Sequence, residues 1–374
     1  MPYKVSNTAA LPTTAVGTVL ASQANYYFVQ LDIEGDGKPF LCLRRALLKK
    51  LGQQVLVGDR VEVEELDWQD RRGAIATIHP RRTQLDRPPV ANADQILLVF
   101  ALASPTLDPH QLSRFLVKAE STGLDVILCL NKRDLVSHDV LNHWQARLQS
   151  WGYQPTVISV QTDPALPSEL LTALSGKTNI VAGPSGVGKS SLIGRLVPDL
   201  TLRTGAVSGK LGRGRHTTRH VELFDLPGSG LLADTPGFNQ PDLTCTVEQL
   251  VACFPEIQAR LAQGNCQFNN CLHRDEPGCA VRGDWERYDD YLAMLEDVMA
   301  YQQSLDNRPD EEALEKVKVG AAGQVQHEPK LEARKYRRIS RRSRHQAMDD
   351  LKLDLTDVES FEDLDDDELE DLGF

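Results

Sequence analysis

Residues 183–190 read Gly-Pro-Ser-Gly-Val-Gly-Lys-Ser, and this stretch decides the fold of the segment around it. The apolar residues 179–182 before it predict a buried strand, and residues 190–196 after it predict a helix. Glycines let the backbone N–H groups of such a loop approach phosphates closely, and the helix N-terminus adds a favourable dipole. Lys189 would contact the β- and γ-phosphates, and Ser190 would ligate magnesium. A glycine-rich turn without a ligand is the alternative, and the flanking strand and helix disfavour it.

Residues 131–134, Asn-Lys-Arg-Asp, supply the base preference. They follow a predicted buried strand at 126–130. Asp134 can accept hydrogen bonds from both N1–H and the 2-amino group of guanine, which adenine cannot match, and an unpaired polar group is costly. Asn131 would orient the loop and meet the purine edge, while the stem of Lys132 would pack along the ring. Together with the phosphate loop, this motif predicts a guanine nucleotide.

Residues 234–237, Asp-Thr-Pro-Gly, end a further predicted strand at 230–233. Asp234 would hold the outer shell of the magnesium ion, and the Gly237 amide would sense the γ-phosphate. Residues 159–160 end the strand predicted at 156–160, where a supporting base-contact loop is expected. The predicted GTP-binding residues are Asn131, Lys132, Asp134, Ser159, Val160, Gly183, Pro184, Ser185, Gly186, Val187, Gly188, Lys189, Ser190, Ser191, Asp234 and Gly237.

The order of the three motifs along the chain is 131–134, then 183–190, then 234–237. In an ordinary GTPase the phosphate loop comes first and the base-reading motif follows. Each motif is a loop at the carboxyl end of a parallel strand, where open α/β sheets bind ligands. Rejoining nearby termini and cutting the chain elsewhere keeps those loops together, because exposed loops tolerate cuts. The order therefore predicts a circularly permuted GTPase domain.

Phe238 follows the third motif, where Ras-like GTPases carry the glutamine that positions the attacking water. An apolar ring cannot do this, so hydrolysis is either very slow or served by another group. Residues 212–218 resemble a mobile switch loop, in which Thr217 or Thr218 is the second magnesium ligand. His216 is the candidate for positioning water, and a solvent-facing histidine is the alternative. The predicted catalytic residues are His216, Lys189, Thr217 and Thr218.

Three cysteines and a histidine lie within residues 266–279, with the spacing Cys-x4-Cys-x-His-x5-Cys. Four such ligands match a closed tetrahedral zinc site, and a reducing compartment would keep the thiolates free. Because catalytic zinc needs an open position, we expect one structural ion; a disulfide is the alternative. The predicted zinc ligands are Cys266, Cys271, His273 and Cys279, and the expected core thiols are Cys42, Cys129, Cys245 and Cys253.

Residues 1–85 show about five short alternating apolar runs separated by turn signals, which predicts a small Greek-key barrel of the OB-fold type. On composition alone, a structural barrel and an RNA-binding barrel are equally open. Basic residues shift the balance modestly towards RNA; they are Arg44, Arg45, Lys49, Lys50, Arg71, Arg72, Arg81 and Arg82.

The fold class that these patterns predict is a multidomain chain. An N-terminal all-β OB-fold domain at 1–85 precedes a permuted, mainly parallel α/β GTPase domain at 86–245. A helical zinc-binding domain at 246–305 and a charged, disordered tail at 306–374 follow.

The net charge of −12 comes from the C-terminus, because residues 349–374 hold 13 acidic residues and one lysine. The rest of the chain holds 40 basic and 40 acidic residues. Residues 330–344 carry eight basic residues and one glutamate, so they are either an RNA-binding arm masked by the acidic block or a solvated tail. No apolar run approaches a membrane span, and no signal or transit peptide is evident, which predicts a cytoplasmic protein.

Across residues 15–300 the chain resembles the RsgA (YjeQ) family of circularly permuted GTPases. The resemblance rests on the three motifs in their order, the Gly-Arg-His-Thr-Thr stretch at 214–218 and the Cys3His set. It implies docking on the small ribosomal subunit late in maturation, with subunit-stimulated GTP hydrolysis coupled to release and with His216 serving in hydrolysis. Gly186 departs from the asparagine of potassium-activated relatives, and the acidic tail has no counterpart.

Three hypotheses follow for function. The leading one is a GTPase, with Mg2+, that assists maturation of the small ribosomal subunit and binds its rRNA. The second is an RNA-binding module in which GTP selects conformations and turnover is incidental. The third is a metabolic P-loop kinase, which Asp134 disfavours because such an enzyme predicts adenine preference or a different acceptor. A monomer without membrane or DNA partners is expected.

Overall fold

The N-terminal strands form a closed barrel in the structure, a computed structural model that describes residues 12–33, 37–197, 221–234, 242–306, 315–319 and 325–329. The barrel elements are β1 (Ala15–Gln23), β2 (Tyr26–Leu31), β3 (Phe40–Arg44), α1 (Ala46–Lys50), β4 (Arg60–Asp67) and β5 (Arg72–Ile78). Alternate side chains point inward, and Val19, Val29, Val61 and Ile75 are fully buried. β1 pairs with both β2 and β4, so the five-stranded sheet closes on itself. The predicted barrel is confirmed.

The central region is a mainly parallel sheet covered by helices. Its strands are β8 (Gln95–Ala101), β9 (Asp125–Asn131), β10 (Thr156–Val157), β11 (Thr178–Ala182), β12 (Glu222–Asp225) and β13 (Leu231–Asp234). Its helices are α2 (Pro109–Glu120), α3 (His138–Ser150), α4 (Ser168–Leu174) and α5 (Lys189–Leu196). The spatial order is β10-β9-β8-β11-β13-β12, and only the edge strand β12 runs antiparallel to its neighbour. The predicted α/β sheet is confirmed.

Strand β8 shows why this sheet is buried on both faces, since all seven of its residues are buried. Ile96, Leu98 and Phe100 belong to the hydrophobic core on one face. Leu97 and Val99 belong to the core on the other face. A near-continuous apolar run is typical of a central parallel strand with helices on both sides.

The sheet topology accounts for the motif order. β11 carries the phosphate loop and lies between β8 and β13, although β8 and β9 come earlier in the chain. β9, β11 and β13 run in the same direction, so their carboxyl ends meet at one edge. In this permuted chain β8 is the first strand of the sheet, whereas β11 would come first in the ordinary order. Both orders bring the same strand ends to one edge of the sheet.

A small hairpin lies between the barrel and the sheet, and an ion pair fastens the segment before this hairpin to the barrel. The hairpin consists of β6 (Gln84–Asp86) and β7 (Pro89–Ala91), which lie across the domain boundary predicted at 85–86. Arg81 Nε donates to Oδ1 of the fully buried Asp59 at 2.7 Å. One of the basic residues that favoured RNA binding is therefore committed to the fold. Sheet pairing also continues across the junction, because Ala21 of β1 pairs with Glu222 of β12.

The region after the sheet is helical, with α6 (Val247–Ala252), α7 (Pro255–Leu261) and α8 (Tyr288–Asp306). Its core includes Leu250, Phe254, Tyr291 and Leu295, which are fully buried. Val117 of α2 belongs to the same core, so this region packs directly against the central sheet's helices.

Arg287 lies fully buried where the two regions meet. Its Nε donates to Ser113 Oγ of α2 at 3.2 Å and lies 3.6 Å from Glu256 Oε1 of α7. Its guanidinium also lies over the rings of Phe254, at 4.5 Å, and Trp151, at 5.0 Å. A buried charge held by groups from both sides favours one relative arrangement of the two regions, because any other would leave it unpaired.

Residues 306–374 form a separate unit, in which we expected a disordered tail. The structure describes a hairpin there, with β14 (Glu315–Val319) antiparallel to β15 (Val325–Pro329). Among the helices that the structure describes, none has the length and apolarity to cross a membrane.

Candidate nucleotide site and metal centre

Three motif-bearing strands bring their carboxyl ends to one edge of the sheet. Asn131 ends β9, Gly183 follows β11 and Asp234 ends β13. The register pairs Asp234 with Val181 of β11, one residue before the end of that strand. Parallel pairing therefore brings the ends of the three motif-bearing strands to the same edge of the sheet, as the order of motifs predicted.

The phosphate loop depends on glycine at positions where the backbone takes a left-handed conformation. Gly183 has φ of 134°, and a Cβ there would lie 2.1 Å from the carbonyl oxygen of Val99. Gly188 has φ of 101°, and a Cβ there would lie 2.4 Å from Asn131 Nδ2. Lys189 Nζ donates to the carbonyls of Gly183, at 2.8 Å, and Pro184, at 2.7 Å. The lysine ammonium thus lies over the loop that would hold the phosphates.

We expect Gly183→Ala to lower the free energy of unfolding by about 3 kcal/mol or more, because the new Cβ meets backbone and the φ value is strained for alanine. Gly194→Ala is the matched control, since a Cβ there meets nothing within 4 Å and the residue lies within helix α5. Alanine at that position should stabilise by about 0.5–1 kcal/mol. Urea unfolding of both variants checks this prediction, and equal stabilities would contradict it.

Asn131 connects the end of β9 to the phosphate loop and to the base-contact loop at Val160. Its Nδ2 donates to the carbonyl of Val187 in the phosphate loop at 2.9 Å. Its Oδ1 accepts from the backbone N–H of Val160 at 3.1 Å. The side chain is buried, so both of its polar ends are satisfied by backbone groups, as buried amides require.

Lys132 lies across the phosphate loop. It adopts a left-handed backbone conformation with φ of 62°, which turns the chain into the 3-10 helix Arg133–Leu135. Its Nζ donates to the carbonyls of Ser104 and of Gly186, the latter at 2.7 Å. The aliphatic stem is therefore held above the loop, where it can cover a purine ring.

Asp134 and Ser159 form the polar part of the base-reading edge. Ser159 Oγ donates to Asp134 Oδ1, which fixes the orientation of the carboxylate. Ser159 is fully buried, whereas Asp134 is exposed at the surface of the site. An ionised carboxylate has two oxygens with about four acceptor positions, so it retains capacity for a pair of ligand N–H groups.

Several predicted residues lie outside the described part of the chain. They are His216, Thr217, Thr218 and Gly237, and Asp234 is described only by its backbone. The predicted loop residues Ser185, Ser190 and Ser191 are exposed near the start of α5. Their exposure leaves hydroxyl groups available at the N-terminal end of that helix.

Two charged residues contact this site although none of the sequence motifs indicated them. Arg195 of α5 donates to the carbonyl of Val160 at 2.9 Å, and Asp163 Oδ2 accepts from the N–H of Ser159 at 2.7 Å. The partners of Arg195 are backbone carbonyls, and a backbone partner leaves no residue-type pattern in a sequence. Asp163 accepts from a backbone N–H and from the side chain of Arg133, which lies far away in the chain. An arginine facing inward from an amphipathic helix is the weak signal that could have indicated the first contact.

The four predicted zinc ligands converge in the helical region, with their ligand atoms within 4.8 Å of one another. His273 Nδ1 lies 3.6 Å from Cys266 Sγ and 3.5 Å from Cys279 Sγ, and the two sulfurs are 3.9 Å apart. A tetrahedral zinc ion, with Zn–S of about 2.3 Å and Zn–N of about 2.0–2.1 Å, separates two sulfurs by about 3.8 Å and sulfur from nitrogen by about 3.6 Å. The Cys3His set therefore fits one metal ion.

Backbone and aromatic groups hold this cluster in place. The N–H of Ala280 donates to Cys266 Sγ at 3.4 Å, and the N–H of Arg282 donates to Cys279 Sγ at 3.3 Å. Tyr288 Oη donates to the carbonyl of His273 at 2.9 Å. Burial lowers the pKa of His273, which favours the neutral imidazole that a metal requires.

The four other cysteines are buried without any disulfide among the described residues; they are Cys42, Cys129, Cys245 and Cys253. Burial raises the pKa of Cys42, Cys129 and Cys253 to about 12. Their burial outside the Cys3His cluster supports their expected role as core thiols.

Comparison with known proteins identifies the family. The RsgA GTPase family matches residues 78–244. The small ribosomal subunit biogenesis GTPase RsgA of Trichormus variabilis is 59% identical over 357 residues, covering 90% of this chain and 96% of the relative. The protein of the same name from Synechocystis sp. is 52% identical, covering 90% of this chain and 94% of the relative.

Two solved structures share the architecture. The circularly permuted GTPase YloQ superposes with a TM-score of 0.63 and 30% identity, covering 82% of this chain and 99% of that one. YjeQ from Thermotoga maritima gives a TM-score of 0.63 and 29% identity, covering 76% and 99%. With the three motif-bearing strands that end at one sheet edge and the Cys3His cluster, these matches show that the chain belongs to the RsgA family of circularly permuted GTPases, enzymes that hydrolyse GTP.

Proposed function

We propose that this GTPase acts in biogenesis of the small ribosomal subunit, binding the subunit and its rRNA and hydrolysing GTP when the subunit stimulates it, with hydrolysis coupled to release. The convergence of the three motif loops at one sheet edge carries the nucleotide part of this proposal. Relatives up to 59% identical are named small ribosomal subunit biogenesis GTPases, which supports the ribosomal part. The protein acts as a monomer in the cytoplasm.

GTP binds with its base against the Asn131–Asp134 turn and its phosphates in the loop before α5. Asp134 reads the guanine edge, because its carboxylate is oriented by Ser159. Asn131 spans the base loop and the phosphate loop, so both ends of the nucleotide site are tied together. Magnesium accompanies the nucleotide and supplies charge neutralisation of the phosphates. Its protein contacts are Ser190, Thr217 or Thr218 and, through the outer shell, Asp234.

We assign the positioning of the attacking water to His216, because Phe238 stands where Ras-like GTPases carry the glutamine that does this. Lys189 would stabilise charge on the β- and γ-phosphates, moving there from the loop carbonyls that it now contacts. Zinc occupies the Cys3His cluster as a structural ion, since four protein ligands leave no open position for a substrate.

The barrel supplies a surface for rRNA. Lys50 and Arg72 are exposed on it, whereas Arg81 is withdrawn into its ion pair with Asp59. Backbone phosphates attract such exposed basic groups without sequence preference, so binding at this surface should weaken as salt concentration rises.

We expect GTP turnover to rise strongly on addition of purified small ribosomal subunits and to stay at its basal level with large subunits. His216→Ala should lose the stimulated rate by about 100-fold or more while retaining GTP binding, because it removes the group that positions water. Phosphate release under multiple-turnover conditions measures both effects. Absence of stimulation with GTP binding intact would favour the alternative, an RNA-binding module that GTP switches without significant catalysis.

A further inference from the structure

Arg195 fastens the base-contact loop to the helix that follows the phosphate loop. It lies one residue before the end of α5. Its Nη1 donates to the carbonyls of Val160, at 2.9 Å, and Asp163, at 3.0 Å, and its Nη2 donates to the carbonyl of Pro164 at 3.1 Å. Three carbonyls held by one rigid guanidinium fix the path of the loop relative to α5.

Asp163 holds the same loop from within. The side chain is buried, and its Oδ2 accepts from the N–H of Ser159 at 2.7 Å. Its Oδ1 accepts from Arg133 Nη2 at 2.6 Å, and Arg133 immediately precedes Asp134. The carboxylate therefore joins the start of the loop to the turn that carries the base-reading aspartate.

Arg195 and Asp163 therefore hold the two segments that carry Ser159, Val160 and Asp134. Ser159 orients the Asp134 carboxylate, and the N–H of Val160 contacts Asn131. α5 begins directly after the phosphate loop, at Lys189. The phosphate-binding helix and the base-reading edge are thereby connected by charged side chains as well as by the sheet.

We propose that Arg195 and Asp163, here called the base brace, are positioning residues that set the selectivity of this site for guanine. They contact no nucleotide themselves; the proposal rests on the nucleotide site proposed above. The base brace acts by holding Ser159 and Asp134 where the carboxylate meets both N1–H and the 2-amino group. Selectivity depends on that geometry, because a hydrogen-bonded edge discriminates only when its groups are aligned with the ligand.

The test compares GDP with inosine diphosphate, which lacks only the 2-amino group. Competition against a fluorescent GDP gives both dissociation constants for the full-length protein and for Arg195→Met and Asp163→Asn. Arg60→Met is the control, because Arg60 is also a hydrogen-bonded arginine but pairs with Asp32 on the barrel, outside the nucleotide loops. Arg195→Lys tests rescue, since an ammonium offers three donors without the planar geometry.

We expect the ratio of the two dissociation constants to fall about five-fold in Arg195→Met and Asp163→Asn, in the range of coupling between residues that share one network. Arg195→Lys should recover part of the ratio, and Arg60→Met should keep the wild-type value. Thermal unfolding without nucleotide identifies any variant that is unfolded at the assay temperature. Asp163→Asn is isosteric, so it keeps the test decisive if Arg195→Met fails to fold.

Two results would overturn the base brace. Equal weakening of GDP and inosine diphosphate would show that the pair only stabilises the fold, and unchanged dissociation constants for both ligands would show that it has no role at this site. Asp134→Asn separates this failure from failure of the site itself. If Asp134→Asn keeps the wild-type ratio of the two dissociation constants, the proposed nucleotide site is wrong, and the proposal of a base brace is then wrong as well.

Discussion

Replacing Asp134 with asparagine is expected to weaken GTP binding by about 100-fold or more and to create binding of xanthosine triphosphate. The aspartate carboxylate accepts two hydrogen bonds from guanine, at N1–H and at the 2-amino group. Asparagine keeps one acceptor and turns a donor towards the second position, where guanine also presents a donor. Xanthine carries a carbonyl oxygen there, so the amide pairs with it. The structure supports this exchange, because Ser159 holds the Asp134 carboxylate at the edge of the site.

Competition binding of GTP and xanthosine triphosphate measures the exchange in the wild type and in Asp134→Asn. Asp139→Asn is the control, because Asp139 is exposed in the first turn of α3 and lies outside the base-reading turn. Its two affinities should match those of the wild type. Unchanged GTP affinity in Asp134→Asn would show that this carboxylate does not read the base.

Removing one ligand of the metal centre is expected to have the second large effect. Cys279→Ser should release the single zinc ion and unfold the surrounding loop, since a structural zinc site contributes roughly 10 kcal/mol of apparent folding free energy. The segment between α7 and α8 holds all four ligands and no regular strand or helix among its described residues. The ion would tie four points of this segment together, and without it the N–H groups of Ala280 and Arg282 would lose the fixed sulfur partners that they now have.

Zinc content by atomic emission and limited proteolysis across residues 261–288 measure this loss. Cys253→Ala is the matched control, because Cys253 is buried in the same core but lies outside the cluster. That variant should keep one zinc per chain. GDP affinity should stay near the wild-type value in both variants, because the nucleotide loops belong to β9, β11 and β13. Retention of stoichiometric zinc in Cys279→Ser would contradict the ligand assignment.

Apolar patterns predicted most elements around the nucleotide site. The strand predicted at 179–182 is one residue shorter at its start than β11, and the strand predicted at 126–130 is one residue shorter at each end than β9. Such runs are informative because a strand buried on both faces admits few polar residues. The strand predicted at 156–160 was too long, since β10 ends at Val157 and the remaining residues form the base-contact loop.

Other elements gave weaker signals. The edge strand β12 pairs with only one neighbour in the sheet and one residue pair of the barrel, so its short apolar run, Leu223 and Phe224, was not distinctive. The hairpin of β6 and β7 has three residues in each strand, which is too short for an alternation to be recognised. Arg81 was predicted to favour RNA binding, because no nearby residue in the sequence indicates that the distant Asp59 pairs with it.

The sequence by itself determined the family, the permuted order and the ligand types, since a phosphate loop, a base-reading aspartate and a Cys3His set each require particular residues at particular spacings. Only the tertiary structure decided which groups hold those motifs in position. Arg195, Asp163 and Arg287 act through backbone carbonyls, a distant arginine side chain and aromatic rings, respectively, that lie tens of residues away in the chain. Many residue types offer such partners, so the contacts leave no spacing to recognise and arise only when the sheet brings the segments together.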